Sequence, residues 1–247
     1  MKKIVTVLLS VTLIFCSTAA FAVDTKVTLG LKAWANSWDE TIDYIDGTSN
    51  SYDMGSAFML GPSLNVKLGK VFLGATYLKS MSDYEAKDWS YPGSGDTMTF
   101  ERKDLDITLG VMFVPYFGMF VGYKTVDAPA TYSDPFYGIT NESVGTWKLK
   151  GPGIGILGNI PLGRAAAIYG NLAFLSLKQE FALSGGSTVP SYDLTGIAGE
   201  VGVAFAFTES LSANIGFKAQ SFSGDNEAGD TVDDTFKGLT LGLNYSF

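Results

Sequence analysis

Histidine is absent from this 247-residue chain, and cysteine occurs once, at Cys16. Without imidazole the chain lacks the side chain that most readily titrates near neutral pH, and so the usual base for activating a hydroxyl or a water. A single thiol excludes an internal disulfide. Basic residues are also short: 17 Lys and Arg stand against 25 Asp and Glu, a net charge of −8. Nucleic-acid binding needs clustered Lys and Arg, so no such partner is expected. Long apolar runs are missing as well. Beyond residue 22 no uninterrupted stretch approaches the roughly 18 residues of a membrane helix.

The first 22 residues do carry a short apolar run. Lys2 and Lys3 precede apolar residues from Ile4 to Cys16, and small residues follow up to Ala20-Phe21-Ala22. That layout is a secretory signal peptide with cleavage expected after Ala22, leaving residues 23–247 as one domain. Cleavage removes Lys2, Lys3 and Cys16 but no acid, so the net charge falls to −10. An exported chain without a membrane helix is either water-soluble or a barrel, and periodicity decides between them.

Alternation of period 2 recurs throughout. Val27, Leu29, Leu31, Ala33 and Ala35 alternate with Thr28, Gly30, Lys32, Trp34 and Asn36; Leu239, Leu241, Leu243, Tyr245 and Phe247 alternate with Thr240, Gly242, Asn244 and Ser246. Such spacing predicts β-strands with two unlike faces. Ten strands are expected, at about 25–38, 54–68, 71–82, 99–113, 117–127, 146–162, 166–181, 194–207, 211–223 and 234–247. Their connections alternate short and long, from Gly69-Lys70 to polar stretches such as 39–53 and 224–234. The expected fold is therefore all-β: one ten-stranded antiparallel up-and-down transmembrane barrel with short periplasmic turns and five longer extracellular loops. The polar face is largely Gly, Ala, Ser, Thr and Asn, which suits a narrow filled lumen.

The terminal strand, with Leu243, Tyr245 and Phe247, resembles the C-terminal signature of small bacterial outer-membrane β-barrel proteins. That resemblance implies localisation in the cell outer membrane and recognition by the barrel-assembly machinery, with those three residues as the signal. It picks out no single family. Outer-membrane barrel enzymes such as omptin-like proteases, phospholipases, lipid A deacylases and palmitoyltransferases resemble one another in depending on a catalytic histidine. This chain has none, so no enzyme is expected. No cofactor is expected either: the acidic run 225–234 lacks calcium-loop spacing, and the glycines from Gly151 to Gly155 precede no helix.

Register places charges. Pairing Phe207 with Leu211 sets Glu200 opposite Lys218, and pairing Phe113 with Phe117 sets Asp106 opposite Lys124, all four facing inward. Lys32, Lys67, Arg102 and Asp104 are expected inside as well. Paired charges offset the cost of leaving water, so these residues are expected to plug the lumen. Lys79, Lys103, Lys148, Lys150, Lys178 and Lys237 fall on the outward face at loop-proximal strand ends. There they are expected to meet outer-membrane lipid and lipopolysaccharide phosphates, or to snorkel toward the headgroups. Trp38, Tyr44, Tyr52, Trp89 and Tyr91 lie in or beside the loops and offer contacts for an extracellular ligand. The expected function is a structural or surface-interaction role with a largely plugged lumen. The alternative is a narrow passive channel for small solutes.

Overall fold

The computed structural model describes residues 25–90, 93–186 and 191–247, so the expected signal peptide lies outside the described residues. These residues form twelve strands and no helix: β1 (Thr25–Asp43), β2 (Ser49–Leu68), β3 (Val71–Ser80), β4 (Tyr84–Lys87), β5 (Thr97–Phe100), β6 (Lys103–Val114), β7 (Phe117–Asp134), β8 (Ile139–Pro161), β9 (Ala166–Leu183), β10 (Tyr192–Ala206), β11 (Leu211–Asn226) and β12 (Thr231–Ser246). Ten of them close an antiparallel barrel in the order β1-β2-β3-β6-β7-β8-β9-β10-β11-β12, with β12 returning to β1. β4 and β5 make a hairpin inside the β3–β6 connection, and β5 pairs with the outer end of β7.

The outward face is apolar along every strand that crosses the barrel wall. Leu29, Leu31, Leu109, Val121, Ile154, Leu172, Val201, Phe217 and Leu241 are all exposed, in a belt running around the wall. A contiguous apolar surface of this extent needs lipid against it. The belt stops abruptly toward the loops: Ala35 gives way to Ser37 and Asp39 on β1, Tyr77 to Lys79 on β3, and Leu239 to Lys237 on β12. Beyond that line the strands continue.

This continuation differs from the sequence expectation. The pattern predicts a loop over 39–53, yet β1 and β2 pair out to Asp43↔Ser49, leaving residues 44–48 as the turn. Likewise β11 and β12 pair out to Asp225↔Thr231, and β7 and β8 out to Asp134↔Ile139. The reason is an inversion of polarity. Above the lipid belt the outward residues (Asp39, Thr41, Asp43) are polar, while the inward ones (Trp38, Glu40, Ile42) pack in a core. The strand expected at 99–113 is also two elements, β5 and β6. The chain breaks at Glu101-Arg102, where the Arg102 backbone N–H donates to the Ser80 hydroxyl and its carbonyl accepts from Ser80 N–H.

A bulge opposite Trp38, between the Ser37↔Ser56 and Asp39↔Asp53 pairs, adds a residue to β2 at Gly55, whose φ of 78° favours glycine. The extra residue switches the inward parity of β2, so that Met54 and Met59 both enter the core.

Candidate functional site

Inside the barrel the fill comes in two storeys. The loop-end storey is apolar and rich in aromatics. Trp38 is fully buried, with ring centroids 5.1 Å from Phe100, 5.1 Å from Trp147, 5.2 Å from Phe236 and 5.6 Å from Tyr84. Met54, Met59, Leu78, Val126, Ala128, Leu149, Leu194 and Phe222 are among the other members of this cluster. These residues share a face because each lies on the inward parity of its own strand at the same height.

Two carboxyl groups are buried within that layer. Glu40 and Asp234 are cross-strand partners. Trp38 Nε1 donates to Asp234 Oδ1 at 2.7 Å. The Gln179 amide, oriented with its nitrogen toward Asp234 Oδ2 at 3.0 Å, accepts from Trp147 Nε1 at 2.9 Å. Both acids lie above the lipid belt. Burial holds the Asp234 carboxyl above the usual carboxylate range. Burial, with the neighbouring Asp234 charge adding to it, does the same to Glu40.

Beneath the aromatic layer lies a charged storey. The Arg102 guanidinium, fully buried, grips Asp104 with two donors, Nε at 2.6 Å and Nη2 at 2.8 Å, and sits 3.9 Å from the centre of the Phe236 ring. Lys124 Nζ reaches Asp104 at 3.3 Å and Asp106 at 3.0 Å. Lys218 Nζ lies 3.6 Å from Asp106 and 4.5 Å from the Trp34 ring centre. Lys32 Nζ donates to Glu200 at 2.5 Å, and Glu200 also accepts from Tyr169 OH at 3.0 Å and Thr240 Oγ1 at 2.9 Å. Neither storey holds a metal-type cluster of acids, histidines or cysteines among the described residues.

The four lumen charges singled out from register all face inward. Asp106↔Lys124 and Glu200↔Lys218 are Cα partners, and the first pair makes a direct ion pair. The second does not pair directly. Glu200 joins Lys32 and Lys218 reaches across to Asp106, because a filled barrel offers partners on distant strands that a hairpin register does not see.

The six outward lysines stand at the top of the lipid belt, but acids interleave with them. Lys79 and Lys103 share Glu101 at 3.0 and 3.1 Å, Lys150 and Lys178 share Glu180 at 3.5 and 3.9 Å, and Lys237 reaches Asp39 at 3.2 Å. Lys148 lies between its Cα partners Asp127 and Glu180. Leu243, Tyr245 and Phe247 are exposed on the outer wall, the last two in edge-to-face contact at 4.9 Å.

The aromatic contacts expected at the surface are partly displaced. Trp38 belongs to the core, and Tyr52 stacks on Trp89 at 4.5 Å with both packed against it. Tyr44 is half-buried, and Tyr91 lies outside the described residues. The sequence reading missed the apolar storey altogether. The signal was there: Trp34, Trp38, Trp147, Leu149 and Phe236 interrupt faces otherwise built from small and polar residues.

No protein-family model and no curated protein matches the chain. Solved structures do. The outer membrane protease OmpT from Escherichia coli aligns with a TM-score of 0.64 and 14% identity over 92% of this chain and 99% of its own. The outer membrane protein OprG from Pseudomonas aeruginosa aligns at 0.38, with 14% identity over 90% of this chain and 95% of that one. The toluene transporter TodX from Pseudomonas putida aligns at 0.36, with 9% identity over 93% and 91%. The OmpT likeness is one of fold, and the fold is that of the small bacterial outer-membrane β-barrels. Short turns close one end of this barrel, and the extended hairpins stand at the other.

Proposed function

We propose that the chain is an integral protein of the outer membrane, exported by its N-terminal signal, whose barrel presents an interaction surface outside the cell and does not serve as an open pore or an enzyme. One observation carries this reading: Trp38 and Phe236 at the centre of the aromatic layer are fully buried and Trp147 beside them is 4% exposed. An aqueous path would have to run through it. The role of OmpT as a protease does not transfer at 14% identity, and this chain has no histidine to serve as a general base.

The extracellular end supports the surface role. A groove of about 790 Å³ runs between the outer part of β2 and the β4–β5 hairpin, with Asp53, Asp83, Glu85 and Asp88 beside Tyr52 and Trp89. Lipopolysaccharide at the lysine-rich rim, and the assembly machinery at Phe247, are the remaining partners in this reading. Single-channel recording of the refolded protein in planar bilayers tests it. Little or no conductance is expected. A large steady conductance would overturn the plug and make Asp106, Lys124, Glu200 and Lys218 the lining of a pore.

A further inference from the structure

Below the charged storey the lumen is not filled. A cavity of about 420 Å³, within the range of ligand pockets, lies against Lys32, Asp106, Lys124, Glu200 and Lys218. A second space of about 280 Å³ shares Lys32, Thr76, Tyr169, Asn171 and Glu200 with it and continues past Asn214 and Asn244 toward the periplasmic mouth. The aromatic storey closes the other end, so this pocket is reached from the periplasm.

Its charges do not balance. Arg102 is matched by Asp104, Lys124 by Asp106 and Lys32 by Glu200. Lys218 is left over. Its carboxylate contact, Asp106 at 3.6 Å, is shared with Lys124 at 3.0 Å, and only 9% of the residue is exposed. A buried ammonium held by a shared carboxylate and the Trp34 ring, with no carboxylate of its own, gains from an added anion.

The cavity walls are aromatic as well as polar. Phe72, Phe120 and Tyr169 line it. Phe72 and Phe120 lie flat against the wall because Gly110 and Gly155 face them, and a Cβ on either glycine would overlap the ring. The mouth is basic. Lys26 and Lys67 are Cα partners on the inward face, and Lys70 and Arg164 sit in or beside neighbouring turns. Glu209 is the acid among the described residues of the periplasmic turns. A basic funnel raises the local concentration of anions.

We propose that the periplasmic half of the lumen is a binding site for a small aromatic carboxylate, its negative charge against Lys218 and its ring against the exposed faces of the Phe72 and Phe120 rings. Benzoate is the probe and benzamide, the same shape without the charge, is the control. Titration of the purified barrel in detergent micelles is read by calorimetry and by tryptophan fluorescence, since Lys218 sits over Trp34. Benzoate should bind saturably and benzamide at least about ten-fold more weakly, the factor set by one charged hydrogen bond. Lys218→Met should weaken benzoate at least about ten-fold while the barrel keeps its shift on unboiled gels. If that variant does not fold, Lys26→Gln with Lys67→Gln decides: these residues are at the mouth, and their loss should slow benzoate association and flatten its salt dependence. Equal binding of benzoate and benzamide, an unaffected Lys218→Met barrel, a double variant with unchanged association, or no saturation at millimolar benzoate each overturns the site. None of these results bears on the plug above, which conductance reads separately.

Discussion

Trp38 is the residue whose removal should cost the extracellular half most, and the structure separates two contributions to that cost. Its ring meets four other aromatic rings in a fully buried position, and its indole N–H supplies one of the donors holding Asp234. Trp38→Ala removes both. Truncating a buried Trp costs about 3–5 kcal/mol, and stripping a buried carboxyl of a donor adds about 1–3 kcal/mol. Trp38→Phe keeps a ring in the layer but loses the donor and part of the indole volume, so it should cost less than Trp38→Ala: about 1–3 kcal/mol for the donor plus a small cavity term. Urea unfolding of the two variants and the wild type in detergent micelles measures the difference. Equal destabilisation by Phe and Ala would refute the packing account and assign everything to the hydrogen bond. A cost below about 1 kcal/mol for Trp38→Ala would refute the core itself.

Three further outcomes follow from the same geometry. Glu40 and Asp234 have pKa values raised by burial; such acids cost stability as pH rises from their unfolded value of about 4 through the folded one. Melting temperature should therefore increase on acidification from pH 8 toward 5, and Glu40→Gln should flatten that slope; a steeper slope in the variant would contradict it. Deleting Phe247 should lower assembly in cells far more than refolding in detergent, because the ring is exposed on the outer wall and little packing is lost; equal effects would mean that it matters for packing alone. Changing Lys79, Lys103, Lys148, Lys150, Lys178 and Lys237 together to Gln should reduce co-purifying lipopolysaccharide, at about 1 kcal/mol per residue near a charged surface at most, since Glu101, Glu180 and Asp39 already compete for five of them; unchanged lipid would leave snorkelling as their role.

Strand number, order and register were legible because lipid imposes a strict period-2 rule on every crossing. The Glu200↔Lys218 alignment follows from its short turn and is present; Asp106↔Lys124 is present too, but its turn pairs Val114, not Phe113, with Phe117, and a bulge between Met112 and Val114 restores the expected register. The strand ends were not legible for the same reason. Past the lipid belt the apolar face turns inward, so a stretch such as 39–53 is polar on the face that is apolar within the belt. Ion-pair partners were half legible. A hairpin register finds the neighbour on the next strand, but Lys32 and Glu200 come from strands that are not adjacent, and only a closed barrel brings them to 2.5 Å. The Gly55 bulge was hidden because one added residue looks like ordinary sequence until the partner strand is known.

The seam between β1 and β12 has a consequence for how the molecule comes into being. Most other neighbours in the wall are joined by a turn, but Thr28 and Ser246 meet across 218 positions, their hydroxyls 2.9 Å apart. Joining points that far along a flexible chain costs about 5 kcal/mol in entropy before any contact repays it. Until that seam zips, the growing sheet has two raw edges, each offering unpaired backbone groups to any other strand within reach. Such a wall cannot be finished piecemeal. The sheet loses its edges in one step, when the last strand pairs with the first.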